Sequence, residues 1–294
     1  MPTVTANRIT LEYDTFGDDG GRPLLLVMGL GAQMTRWRPE FCELLADAGH
    51  FVVRFDNRDT GLSHKFDDAG VPNMAEIFMQ AQSGQPVTAP YTLDDMADDA
   101  AGLLDALGID RAHVCGASMG GMIVQTMALR HGPRLRSMVS IMSSTGNPDL
   151  PKSTPEATAA LLSPAGTTLD EVLERAVSVA RAIGSPGYPD TPEAIRARAQ
   201  ADFERSYYPV GVARQMAAIA ASGNRRPHLA AVKTPTLVIH GADDPLVPLA
   251  GGVDTHEAIA GSRLEVLAGM GHDLPQPLWG DVVRHISEHT ARHH

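Results

Sequence analysis

The sequence predicts an α/β fold: one mostly parallel eight-stranded sheet with helices on both faces and a helical segment inserted after the sixth strand. Three observations lead there. Short apolar runs alternate with longer amphipathic stretches along most of the chain. Several of those runs are apolar throughout, as strands buried on both faces require. The alternation stops near Ser143 and returns near Thr236, so one sheet is interrupted and then completed.

The elements follow in order. Thr3–Thr5 and Ile9–Tyr13 alternate as a short hairpin with a polar turn at Ala6-Asn7-Arg8. Leu24–Met28 is a buried strand ending at Gly29, and Pro39–Ala48 a helix with Pro in its first turn and Gly49 beyond its end. Phe51–Phe55 is a strand, Leu93–Leu107 a helix closed by Gly108, Ala112–Cys115 a strand, Gly121–Arg130 a helix and Met138–Met142 a strand. Residues 143–226 carry no convincing strand, many prolines, and helical stretches at 168–183, 192–207 and 210–221. In the first of these, Val172, Leu173, Ala176, Val177, Ala180 and Ile183 share one face. Strand Thr236–His240, helix 253–260, strand Arg263–Leu267 and helix 279–291 complete the pattern. The expected organisation is a core of residues 1–142 and 227–294 with a helical cap, or lid, of 143–226.

Length and charge bound the function. A single α/β sheet accommodates 294 residues. The formal net charge of −11 argues against nucleic acid, whose phosphates call for clustered Lys and Arg. Neutral or weakly charged small molecules fit better. Cys42 and Cys115 are too few for a disulfide framework and read as small buried residues. Met1–Arg8 lacks the apolar run of a signal peptide and no stretch is long enough to span a bilayer, so the cytoplasm is the expected compartment. Monomer and homodimer both stay open.

Gly116-Ala117-Ser118-Met119-Gly120 matches Gly-x-Ser-x-Gly, directly after an apolar strand and before a helix. Chance alone would give the five-residue pattern about 0.14 times in such a chain, so the flanking strand and helix carry the specificity. The turn lifts a serine hydroxyl from the sheet edge to a helix N-terminus, where backbone N–H groups face developing negative charge. Ser118 is therefore the expected nucleophile. One oxyanion donor is expected at Met119 and the other in the Met28-Gly29-Leu30-Gly31 loop, at Leu30.

A serine hydroxyl needs a base, and the base an acid. Of twelve histidines, His272 lies in the loop after the last strand, at the edge where open α/β sheets collect their functional groups. His50 and His131 fall at helix ends and His113 at a strand start, while His285, His289, His293 and His294 read as a solvated face of the last helix and its tail. For the acid, Asp243 and Asp244 compete in His240-Gly241-Ala242-Asp243-Asp244-Pro245, and composition does not separate them.

With these segments in hand, the chain resembles the α/β-hydrolase superfamily over nearly its whole length, in the branch that holds aclacinomycin methylesterase and bacterial lipase- and esterase-like proteins. The resemblance rests on Leu24–Leu30, Asp56-Asn57-Arg58-Asp59-Thr60-Gly61-Leu62-Ser63, residues 116–120, Pro235–Pro248 and Gly269–Pro275. It implies the α/β-hydrolase fold, and it selects Asp244, third after Gly241, and Leu30, next to the first loop glycine. Many relatives carry His-Gly where this chain has Met28-Gly29. The donor there is a backbone group, so the change leaves it in place and makes the rim more apolar. Asp56 and Arg58 are expected to brace neighbouring loops rather than react.

The expected activity is a serine esterase cleaving a neutral, fairly apolar carboxylic ester through an acyl-enzyme, with no metal and no organic cofactor required. Met28, Met34, Met122 and Met142 are the candidate substrate-pocket residues, core filler being the competing reading. The same triad could serve a thioester, a lactone, a carbon–carbon bond or a cofactor-free perhydrolase. Ser118 argues against the dehalogenases and epoxide hydrolases of the superfamily, which use Asp at that place. A ligand-binding protein on a hydrolase scaffold is the reading from another class.

Overall fold

A computed structural model describes residues 1–293, with side chains for all of these but residue 82. Its sheet has eight strands: β1 (Thr3–Ala6), β2 (Ile9–Phe16), β3 (Arg22–Val27), β4 (His50–Phe55), β5 (Ala112–Ala117), β6 (Leu135–Ile141), β7 (Thr236–Gly241) and β8 (Arg263–Leu267). The spatial order is β1-β2-β4-β3-β5-β6-β7-β8. β2 runs antiparallel to β1 and β4, and the neighbouring pairs from β4 to β8 are parallel. The hairpin closes through Asn7 and Arg8, both at positive φ, the conformation a two-residue turn needs to follow strand twist.

Two apolar layers flank the sheet because successive strand residues face opposite sides. Leu25, Val27, Val53, Phe55 and Val114 pack under α3 (Leu93–Ala106) and α4 (Met119–Arg130). Leu24, Leu26, Val52, Cys115, Val139, Leu237 and Ile239 pack under α1 (Pro39–Asp47) and α11 (Trp279–Ala291). A fully buried leucine contributes roughly 1.5–3 kcal/mol, so the buried run Leu24–Val27 of β3 is a strong contributor to the sheet's stability. Both cysteines are free and buried. The expected solvated face of the last helix is corrected: His285 and His289 are buried, because α11 turns them with Val282 and Ile286 toward the sheet. His294 lies outside the described residues.

Between β6 and β7 the chain forms α5 (Pro155–Leu161), α6 (Leu169–Ile183), α7 (Pro192–Arg205), α8 (Val210–Ser222) and α9 (Arg226–Leu229). Local chemistry starts three of them. Thr168 and Glu171 make a reciprocal cap on α6, and Thr154-Pro155 and Thr191-Pro192 place a capping hydroxyl before a first-turn proline. α2 (Met74–Gln82) and α10 (Ala250–Ala258) complete the helices. No helix among the described residues is long and apolar enough to cross a membrane.

Candidate active site

Four loops at the C-terminal ends of β3, β5, β7 and β8 converge, as parallel-sheet architecture dictates. Ser118 sits between β5 and α4 with φ +55 and ψ −120. That backbone position is strained for a residue with a Cβ and is held by its surroundings. Ser118 N–H donates to Ile141 O (2.9 Å), and its carbonyl accepts from Gly121 N–H (2.9 Å). The flanking glycines are steric necessities: a Cβ at Gly116 would lie 2.1 Å from Gly120 O, and one at Gly120 would lie 2.1 Å from Val27 O.

The Ser118 hydroxyl meets His272 Nε2 at 2.9 Å, and His272 Nδ1 meets Asp244 Oδ2 at 2.7 Å. A carboxylate only accepts, so Nδ1 carries the imidazole proton and the Nε2 lone pair faces the serine hydroxyl. Asp244 is buried, and its Oδ1 accepts from the N–H groups of Leu246 (2.9 Å) and Val247 (2.8 Å). Asp243 points elsewhere and accepts from Gly269 N–H (2.9 Å). That bond ties the turn after β7 to the histidine loop, so the two neighbouring carboxylates face different partners. Behind Asp244, His240 donates from Nε2 to Val247 O at 2.8 Å, and burial depresses its pKa, leaving it neutral.

The Leu30 and Met119 N–H groups have no hydrogen-bond partner among the described residues. Gly29 brings the loop against Ser118, where a Cβ would sit 3.1 Å from the serine Cβ. Of the four candidate pocket methionines, Met34 is fully buried, Met28 and Met142 retain 8% and 6% exposure, and Met122 in the first turn of α4 is half-buried. Among the described residues, no cluster of three or more His, Cys, Asp or Glu is arranged to hold a metal ion.

The segment 56–63 braces loops. Asp56 accepts from the N–H groups of Met34 (2.7 Å) and Leu62 (2.9 Å) and pairs with Arg205 (2.8 Å). Arg58 makes a two-pronged pair with buried Asp99, and Asp59 does the same with buried Arg214.

Sequence reasoning missed the contacts that hold the site from the segment between β6 and β7. His272 N–H donates to Ile183 O (2.7 Å), and Gly271 N–H donates to Ser185 Oγ (2.9 Å). The Ser185 hydroxyl in turn donates to Asp273, and Gln215 accepts from Gly31 N–H (2.7 Å). No local pattern marks such residues, since their partners lie 86 to 184 positions away.

Comparison with known proteins bears on the fold and the family. A family model described as alpha/beta hydrolase fold matches residues 22–275. Rhodomycin D methylesterase of Streptomyces sp. (strain C5) is 31% identical over 99% of this chain and 98% of its own. The 3-oxoadipate enol-lactonase 2 of Acinetobacter baylyi is 29% identical over 90% and 87%. Among solved structures, the enol-lactonase from Burkholderia xenovorans LB400 superposes with a TM-score of 0.75 at 24% identity, covering 99% of this chain and 100% of its own, a likeness of fold. The family match and the full-length 31% relative agree with the sheet order and the loop convergence: this chain belongs to the alpha/beta hydrolase fold family.

Proposed function

We propose that the protein hydrolyses a carboxylic ester in two steps through an acyl-enzyme on Ser118. The observation that carries this reading is the hydrogen-bonded row from Ser118 through His272 to Asp244. Ser118 Oγ attacks the ester carbonyl while His272 Nε2 takes its proton, and Asp244 stays ionised beside the imidazolium. The Leu30 and Met119 N–H groups hold the oxyanion. On collapse, His272 gives the proton to the departing alcohol. Water then enters, loses a proton to His272, and attacks the acyl carbonyl to release the acid and restore Ser118.

The substrate is a neutral, fairly apolar ester, in keeping with the methionines near the serine and the net charge of −11. The likeness to rhodomycin D methylesterases favours a methyl ester, and the likeness to an enol-lactonase makes a lactone the second reading. Residues 143–226 serve as a helical cap on a core of 1–142 and 227–294, supported by the contacts that Ile183, Ser185 and Gln215 make with the loops after β8 and β3 and by the ion pair of Arg205 with Asp56.

The test is hydrolysis of p-nitrophenyl esters from acetate to palmitate, together with aromatic methyl esters and lactones, by wild type and Ser118→Ala. Turnover of an ester that disappears in the variant supports the reading, and the preferred chain length measures the acyl site. Turnover of lactones alone replaces the ester with the second reading. Hydrolysis that survives in the variant removes Ser118 from the mechanism.

A further inference from the structure

The turn that carries Leu30 is held from two sides. Gly29 to Ala32 close on themselves through Ala32 N–H donating to Gly29 O (3.3 Å), with Gly31 left-handed at φ +63. In such a turn the N–H groups of the two central residues have no partner within it, and each must bond elsewhere or face a ligand. They divide. Gly31 N–H donates to Gln215 Oε1 on α8 at 2.7 Å, while Leu30 N–H stays free among the described residues. Gln215 is fully buried, and its Nε2 donates to Arg58 O and to Thr60 Oγ1, each at 2.8 Å. Those two acceptors fix which end of the amide is oxygen and aim it at Gly31. Val212, three residues earlier on α8, packs on the turn with its Cγ2 2.8 Å from where a Gly31 Cβ would stand. From the opposite side Asn57 Nδ2 donates to Met28 O at 2.8 Å.

We infer that Gln215 is a positioning residue for the oxyanion site, an inference that rests on the reading of Leu30 as a donor. The peptide units bearing the Leu30 and Gly31 N–H groups meet at the Leu30 Cα. Pinning one therefore restricts the other to what rotation about two Leu30 dihedrals allows. An oxyanion donor works only within a narrow range of positions, and a drift of about half an ångström weakens it. The buried glutamine thus makes the helical segment between β6 and β7 part of the catalytic frame, although no atom of Gln215 touches substrate.

The experiment compares wild type, Ser118→Ala and Gln215→Met on the p-nitrophenyl ester that wild type hydrolyses fastest. Methionine fills the space of the glutamine without its three hydrogen bonds. Competent sites are counted by reacting Ser118 to completion with a fluorophosphonate, so kcat is expressed per folded molecule. The expected result is a fall in kcat of about tenfold with KM changed less than about twofold, because the oxyanion bond is made in the transition state and not in the bound ester. A residue that merely glued α8 to the core would lower the count of competent sites and leave kcat per site intact, and that result overturns the inference.

Residue-resolved amide exchange on wild type gives a reading independent of any variant's folding. Gly31 is expected to exchange at least about a hundredfold more slowly than an unstructured glycine, and exchange at the unstructured rate overturns the inference. Full activity in Ser118→Ala would instead remove the function reading on which it rests.

Discussion

His50, His113 and His289 make the fold sensitive to mild acid. His50 opens β4, His113 follows the first residue of β5, and His289 lies on α11; their exposures are 1%, 0% and 2%. Each ring is placed to be neutral. His50 bonds Leu45 O and Thr290 Oγ1, both at 2.8 Å, and His289 Nε2 meets Pro235 O at 3.3 Å. His113 Nδ1 meets Ser137 Oγ at 2.8 Å and leaves Nε2 buried without a partner. Burial, aided by neighbouring cations, holds their pKa values down to about 4, about 3 and about 4, against 6.5 when free. Below pH 6.5 the unfolded chain binds protons that the folded protein refuses. Stability from these groups is therefore full above pH 6.5 and is lost as pH falls from there toward 4. At pH 5 the loss relative to pH 7 is about 2 kcal/mol per histidine, or about 6 kcal/mol for the three, which is comparable to the whole stability of many domains. Asp99 and Asp273, whose pKa values burial raises, act in the opposite sense, so the sharper reading is a difference between proteins. Urea unfolding of wild type and His113→Asn at pH 7 and pH 5, followed by fluorescence of buried Trp37 and Trp279, gives that difference. The variant's loss on acidification is expected to be smaller by about 2 kcal/mol. An equal loss in both proteins would show that His113 takes up its proton in the folded state, refuting the reasoning.

Asp244→Asn is expected to lower kcat roughly 10³- to 10⁴-fold by stabilising the wrong imidazole tautomer, whereas Asp243→Asn, which only loosens a turn, should cost less than about tenfold; steady-state kinetics on one ester separates them. Ser185→Ala removes both the acceptor for Gly271 N–H and the donor to Asp273. A fall of about fivefold in kcat and a melting temperature lower by a few degrees are expected, and unchanged kcat would mean that the histidine loop holds itself. Arg214→Met leaves the buried Asp59 carboxylate without its cation and should cost about 3–5 kcal/mol by urea unfolding, a cost that a second change, Asp59→Asn, partly restores. Ser118→Gly relieves the positive φ of the serine and is expected to raise stability by about 1 kcal/mol while abolishing turnover; a lower melting temperature than Ser118→Ala would show that the turn stores no strain.

What the sequence could disclose depended on how local its causes were. The helix at 279–291 was readable to the residue because its apolar positions recur with helical spacing. His285 and His289 were expected on a wet face and are buried instead, since neutral imidazole packs as readily as it dissolves and composition does not reveal which. α5 has a capping threonine and a first-turn proline but is only seven residues long, too short for a period to show. Ser118 and His272, which the structure brings within hydrogen-bond distance, could be singled out because each stands in a turn directly after a strand, whereas Asp244 was separated from Asp243 only by the family resemblance. Gln215 had no such marker. Its role exists only once α8 is laid over the turn at Gly31, 184 residues earlier in the chain.

The buried ionic groups around segment 56–63 obey the same logic. A buried ion pair is seldom more stabilising than well-packed apolar side chains of similar volume, so stability alone does not account for three of them in eight residues. Direction does. The two oxygens of Asp56 take N–H groups from Met34 and Leu62 and a guanidinium from Arg205, so one carboxylate orients the stretch after β3, its own loop and the end of α7. Asp59 similarly joins Phe66 N–H, Tyr91 and Arg214, and Arg58 ties the loop to α3 through Asp99. Apolar contacts fill space but leave loops free to slide by fractions of an ångström, and an acyl-transfer site does not tolerate such slippage in its donors. The loop after β4 holds no reacting group, yet its backbone carbonyl at Arg58 and hydroxyl at Thr60 orient Gln215, and Gln215 orients Gly31. The chain of bonds runs from buried charges to a neutral amide and from there to the turn that bears Leu30, so under the proposed mechanism the charged scaffold stiffens the oxyanion turn without entering the pocket.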